Sequence, residues 1–516
     1  MKTKIVTGFI FVLFMLLQGC KWSVPKDPHV LVQTLGTDPE TLNPVIATTS
    51  GAFTVYGFIY EQLIDLDPDT LKPVPRLATR WEVSPDRLYY TFYLRNDIRW
   101  HDGKPFTADD VLYTYQKIMD PKVDAAASRN YLQDIIKAEK VDDYTVRFTY
   151  RRPYIGALTA IGLMVIVPKH VFDDGQDFNS HPANRAPVGT GPFQFVEWRT
   201  GNQIVLKKFE GYNTTKPYSI QKMVFKIIPD TLTSFQLFKK NELDFINLTT
   251  LQWARQTDSA AFLKRFVKHK FITPFDPYNY IGWNLRRPVF QDKRVRLALA
   301  HLIDKALLNQ KLLFGLAYPI TGPYYPFGNN YDKTLPPISY DIEEAKRLLK
   351  AAGWDEKKPL HFTLLFPGGG QFAEQLVSIL RENFSRAGVK LELRRLDIAT
   401  LFRLVEEHDF DAYLGAWGRG ANDEDLYQIW HSSQIKEGSN YIGYSNPEAD
   451  RLLEDQRREF NEVKRNQINQ QIHKILYEDQ PYLFLYAFPE LVARDKRFKN
   501  VKEHLVGLDM REWMVE

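Results

Sequence analysis

The chain has 516 residues, more than a single hydrophobic core usually carries, so two or three domains are expected. Hydrophobic content of 44% and charged content of 25% belong to an ordinary soluble globular protein. A net charge of +4, spread without long runs, gives no electrostatic case for nucleic acid.

Residues 1–20 open with two lysines, continue in the apolar run Ile5–Leu17 and end in Gln18-Gly19-Cys20. This describes a secretory signal, too short for a comfortable membrane span. Leu17-Gln18-Gly19-Cys20 fits the bacterial lipobox, with Gln18 a less common choice. A single cysteine cannot close an internal disulfide, so lipidation of Cys20 is the economical explanation. The expectation is a signal peptide over 1–19, a tether over 20–28, and an exported, membrane-anchored lipoprotein.

His29–Gly36 predicts a first strand, and Ile46–Tyr60 an apolar helix entered from the polar loop Thr48-Thr49-Ser50-Gly51. Within Arg87–Arg99, Leu88, Tyr90, Phe92 and Leu94 alternate with more polar neighbours, as in a half-buried strand. Thr107 with Asp110 makes a capping-box start, and Pro121 stops the helix that follows. His101-Asp102 sits in a turn and reads as structural, since adjacent residues seldom converge on one site. Gly189-Thr190-Gly191 lacks both the Lys-Ser/Thr of a P-loop and the third glycine of a dinucleotide fingerprint, and reads as a turn into Phe193–Trp198. Further strands are expected at 201–209, 223–228, 244–248 and 278–284, with a helix over 231–240.

From there α and β alternate: helices started by Asp292 and Asp341, strand Leu360–Phe366, a helix to Arg386, strand Val389–Leu396 and helix Ile398–His408. Gly368-Gly369-Gly370 reads as a plain connection. Phe410–Trp417 predicts a buried strand, Gly418–Ala421 a compact loop, and Asp423–Trp430 a helix capped by Asn422 or Asp423. Such a strand–loop–helix junction is where α/β units keep ligand sites, because N–H groups there point outward. Trp417 offers an aromatic face and Arg419 a fork matched to carboxylates. Pro481–Phe488 reads as a buried strand returning to the first body. The predicted organisation is an α/β chain of two lobes: 29–60, 187–284 and 481–516 as the first, 61–186 as its inserted subdomain, and 285–480 as the second. Chain crossings between lobes would form a hinge and leave a cleft.

Pro75–Pro121 (PRLATRWEVSPDRLYYTFYLRNDIRWHDGKPFTADDVLYTYQKIMDP) resembles the signature of the extracytoplasmic solute-binding proteins, family 5, of peptide-type ABC importers. VGTGPFQFVEW, NLRRPVFQDKRVRLALAHLID, YDIEEAKRLLKAAGW and IGYSNPEADRLLEDQRRE are similar in the family's order. The resemblance, to the oligopeptide- and dipeptide-binding lipoproteins among them, implies a two-lobed, periplasmic-binding-protein-like (type II) receptor that closes over a peptide-like solute and delivers it to a membrane permease. It implies ligand contacts at Thr48, Thr49, Ser50, Tyr280, Trp417 and Tyr486, no cofactor and a monomer. Arg419, Asn422 and Asp423 join them as candidates around the Trp417 loop. Peptide-binding relatives carry an Asp three residues after the Trp, on the peptide's ammonium; here that position is Gly420, with Asp423 or Asp425 as substitutes from the next turn. The same receptor could therefore serve an oligosaccharide, an opine or a metal chelate. An exported hydrolase is the remaining alternative, and the chain lacks His-Glu-x-x-His, Gly-x-Ser-x-Gly and a cysteine nucleophile.

Overall fold

Val30–Leu35 is the parallel partner of Lys222–Ile227 near the centre of a seven-stranded mixed sheet. A computed structural model describes residues 27–213, 218–420, 425–436 and 438–515. The signal peptide, Cys20 with most of the tether, Asn422 and Asp423 lie outside the described residues. Across the sheet the strands run Phe266–Phe271, Glu490–Asp495, Phe245–Asn247, Val30–Leu35, Lys222–Ile227, Gln203–Lys208 and Phe193–Arg199.

The stretch from 61 to 186 carries its own four-stranded sheet, ordered Ala78–Val83, Tyr89–Leu94, Thr145–Tyr150, Ile135–Asp142. The expected alternation is present in part: Tyr90, Phe92 and Leu94 are buried and Tyr89 faces solvent, but Thr91 is buried too, its hydroxyl accepting from Arg147 Nε at 3.1 Å. Helix Ala108–Met119 starts at Thr107, whose N–H donates to the Asp110 carboxylate at 2.9 Å.

The Gly189–Gly191 turn packs on the chain just after the first helix. Gly191 N–H donates to the Ile59 carbonyl at 2.8 Å, and a Cβ on Gly189 would lie 1.8 Å from that same oxygen. His101 closes the turn from the other side. Its Nδ1 accepts from Gly189 N–H at 3.2 Å and its Nε2–H donates to the Gly191 carbonyl at 2.9 Å. That pair of bonds requires the neutral ring, and burial pushes the imidazole down to about 4. Asp102 turns instead to His170, 2.7 Å away.

A second sheet has six strands, ordered Tyr318–Pro319, Tyr482–Ala487, Tyr278–Trp283, Ala412–Trp417, His361–Pro367, Lys390–Leu396. His361–Pro367 runs parallel to both of its neighbours. Helices Lys293–His301, Ile342–Ala351 and Ile398–Glu406 are capped by Asp292, Asp341 and Asp397, each carboxylate accepting a first-turn N–H. Helix Gln371–Arg386 follows the Gly368–Gly370 connection and ends before Gly388, whose φ of +76° favours glycine.

Tyr278–Trp283 and Tyr482–Ala487 were assigned to the first body, yet they pair with each other and with Ala412–Trp417 inside the six-stranded sheet. The chain passes from one sheet to the other between Phe271 and Tyr278, and back between Ala487 and Glu490. Both strands are apolar on both faces, so their residues require burial without specifying a sheet.

Candidate ligand-binding site

Strands His361–Pro367, Lys390–Leu396 and Ala412–Trp417 all end at one edge of the six-stranded sheet, because they run parallel. The carboxyl edge of a parallel sheet leaves a crevice where the chain turns into the covering helices. Here Pro367, the start of helix Gln371–Arg386, the start of helix Ile398–Glu406 and Trp417 enclose a cavity of about 190 Å³.

Aromatic rings build one side of it. Trp417 is half-buried and lies parallel to Tyr441, with centroids 6.1 Å apart and planes within 8°. Tyr280 also lies nearly parallel to it, at 6.5 Å and 14°. Tyr280 is itself stacked on Tyr482 at 3.9 Å, and its hydroxyl shares a hydrogen bond of 2.9 Å with Tyr413. Trp417 Nε1–H donates to the Tyr482 hydroxyl at 3.3 Å. Burial holds the hydroxyls of Tyr280, Tyr413 and Tyr482 protonated above the ordinary tyrosine range. The result is an uncharged aromatic shelf in which Trp417 is half-buried.

Arg419 does not join that shelf. Its Nε donates to the Pro323 carbonyl at 3.1 Å, and its terminal nitrogens donate to the Asp276 and Tyr324 carbonyls at 2.8 and 3.2 Å. The guanidinium carbon lies 4.9 Å from the Tyr278 ring centre. The expected carboxylate fork is thus an internal brace that fixes the loop after Trp417, since a buried guanidinium must have its donors satisfied. Gly418 and Gly420, on either side of it, are exposed.

Tyr486 is also corrected. It is wholly buried in the core of the six-stranded sheet, and its hydroxyl donates to the Lys305 carbonyl at 2.7 Å. Strict alternation from Tyr482 would put it on the shelf side, but the register break between Phe484 and Ala487 turns it to the opposite face. Thr48 and Ser50 are exposed and Thr49 half-buried, at the start of helix Ser50–Tyr56. Glu40 ties this loop down: its carboxylate accepts the backbone N–H groups and both hydroxyls of Thr48 and Thr49. These donors outweigh the cost of burial and hold the Glu40 carboxyl below its ordinary value.

Of the helix expected over Asp423–Trp430, the described residues show Tyr427–Trp430, and one Asp425 oxygen accepts the Tyr427 N–H at 3.2 Å. The Asp425 carboxylate accepts from the Tyr154 hydroxyl at 2.8 Å and lies 3.1 Å from Arg457 Nε. Tyr154 belongs to the 61–186 stretch, so this group joins the two bodies away from their chain crossings. Ile155 N–H adds a bond of 2.9 Å to the Arg457 carbonyl, and Arg87 lies over the Phe460 ring at 4.1 Å. Asp425 is therefore committed to a contact between bodies and does not replace the acid missing at Gly420.

Phe372, Phe402 and Tyr441 line the cavity and were not anticipated. A signal for one of them was present. Helix Ile398–Glu406 places apolar Ile398 and Phe402 one turn apart, on the same stripe as Leu401 and Val405, which line the cavity with them.

Residues 72–437 match the family described as bacterial extracellular solute-binding proteins, family 5 Middle. The oligopeptide-binding protein AppA of Bacillus subtilis (strain 168) is 28% identical over 92% of this chain and 89% of its own. The dipeptide-binding protein of Escherichia coli (strain K12) is 24% identical over 91% of this chain and 90% of its own. Among solved structures, AppA from Bacillus subtilis in complex with a nonapeptide superposes with a TM-score of 0.82 at 26% identity, covering 94% of this chain and 99% of that one. The fold is accordingly that of the two-lobed periplasmic binding proteins.

Proposed function

This chain belongs to the bacterial extracellular solute-binding proteins of family 5, and on that premise we propose that it captures a peptide-like solute between its lobes and delivers it to the permease of an ABC importer. The family is one of receptors, and its members work outside the cytoplasm. The observation that carries the reading is the uncharged aromatic shelf of Trp417, Tyr280 and Tyr441 at the carboxyl edge of the six-stranded sheet. Relatives named for oligopeptides and dipeptides support the cargo class. Lipidation at Cys20, release of 1–19 and a monomeric state complete the proposal.

The mechanism is a hinge equilibrium about the two chain crossings. A solute that touches both lobes only when they are shut stabilises the shut form by its differential affinity. The Tyr154–Asp425–Arg457 group adds a protein contact that opening would break. Closure removes water and strengthens polar contacts to the solute. ATP is hydrolysed by the importer's other subunits.

Thermal unfolding with di- and tripeptides, sugars, opines and metal chelates tests this. Peptides should raise the midpoint; stabilisation by sugars, opines or chelates alone would overturn the peptide assignment. Trp417→Ala should weaken binding by about 30-fold, the loss of about 2 kcal/mol typical of a central aromatic contact, with little change in fold. Unchanged affinity by calorimetry would remove Trp417 from the site.

A further inference from the structure

Building on the solute-binding reading above, we propose that the cavity beside Trp417 is a specificity pocket for one uncharged side group of the solute, aromatic or branched aliphatic, of about phenyl to indole size. Three observations carry this. The first is composition: none of the lining residues carries a charge. The hydroxyls of Tyr280 and Tyr413, the polar atoms on one wall, are already bonded to each other. A carboxylate or ammonium entering here would lose its hydration and meet no counter-charge.

The second is size. A cavity of about 150 Å³ lined by apolar side chains takes up a benzene ring. This one holds about 190 Å³, room for a ring or a leucine-like group with little to spare.

The third is the rim. Ile398 and Phe402 border the same cavity and are 57% and 50% exposed. Two large apolar side chains one helical turn apart, next to an apolar hollow, form a continuous patch rather than scattered surface residues. An apolar group seated in the pocket would cover both and remove them from water. A sugar, with hydroxyls on every edge, would leave those hydroxyls unpaired against this wall.

The experiment is calorimetry on the full chain with an alanine tripeptide series, in which each position in turn carries Phe, Leu, Lys or Asp. At one position Phe and Leu should bind at least about tenfold tighter than Lys and Asp. Phe402→Glu should bring the ratio of Phe to Lys affinity at that position close to one, and Ile398→Glu should lower it in the same direction. Both residues are half-exposed, so an unchanged unfolding midpoint verifies that the variants fold. Equal affinity for all four guests at every position, or a ratio untouched by Phe402→Glu, overturns the pocket while leaving peptide binding standing. If no member of the series binds at all, the peptide reading falls and the pocket assignment falls with it.

Discussion

Gly189-Thr190-Gly191 and Gly418-Arg419-Gly420 share a spacing, and the first is packed shut while the second stands open. At Gly189 a Cβ would lie 1.8 Å from the Ile59 carbonyl, and at Gly191 2.7 Å from that of Phe58. At Gly418 and Gly420 a Cβ meets no atom of the described residues within 4 Å. The difference comes from what stands beside each glycine. His101 grips the first turn from one side and the chain at Phe58-Ile59 from the other. In the second loop the residue between the glycines, Arg419, reaches inward to three carbonyls and leaves the glycines at the surface. The same two letters therefore serve close backbone approach in one place and clearance in the other.

The largest effect that separates the loops is steric. Gly189→Ala should destabilise the chain by about 3 kcal/mol or more, since backbone rather than a movable side chain occupies the space. Gly420→Ala, measured in the same denaturant titration, should stay within about 0.5 kcal/mol. Equal losses would erase the distinction.

Protonation should follow. The His101 ring is held neutral in the folded state, down to about 4 against an ordinary 6.5, so the unfolded chain binds the extra proton across that window. His473 sits in a matching arrangement: Nδ1 accepts from Asp332 N–H at 3.1 Å, Nε2 lies 3.1 Å from the Thr321 hydroxyl, and burial again pushes it to about 4. Stability should be full above pH 6.5 and fall as the pH drops toward 4, by up to about 3 kcal/mol for each histidine. Unfolding midpoints measured from pH 7 to pH 4 check the sign. A chain that grows more stable over that range would contradict the neutral tautomers.

The smallest effect concerns the open loop alone. Gly420→Asp places a carboxylate three residues after Trp417, where the family resemblance implies one in peptide binders. Stability should be unchanged within about 0.5 kcal/mol, and peptides with a free ammonium should gain about tenfold in affinity, a charge-assisted hydrogen bond's worth. A gain shared equally by N-acetylated peptides would place the ammonium elsewhere.

Most secondary structure was legible because its signals are local. The capping-box start at Thr107, the Asp292 and Asp341 caps, and the alternation of Tyr90, Phe92 and Leu94 each depend on residues a few positions apart. The site was legible in part. Trp417 lies on the shelf with Tyr280, while Arg419 and Tyr486 were assigned ligand contacts and are instead held inside the protein. Nothing near Arg419 in sequence signals this, because its acceptors lie about 95 and 143 residues away along the chain.

What the amino-acid order determined by itself was the set of strands and helices, their buried faces and the glycine turns, since propensity, periodicity and capping act within one or two turns of chain. What only the tertiary structure decided was which sheet claims the doubly apolar strands Tyr278–Trp283 and Tyr482–Ala487, and which polar groups are already spent. Hydrophobic burial is non-directional and specifies no partner. A buried donor must be satisfied by whatever acceptor the packed fold brings within about 3 Å, so whether an arginine meets a solute or a carbonyl is settled only when the distant strands come together.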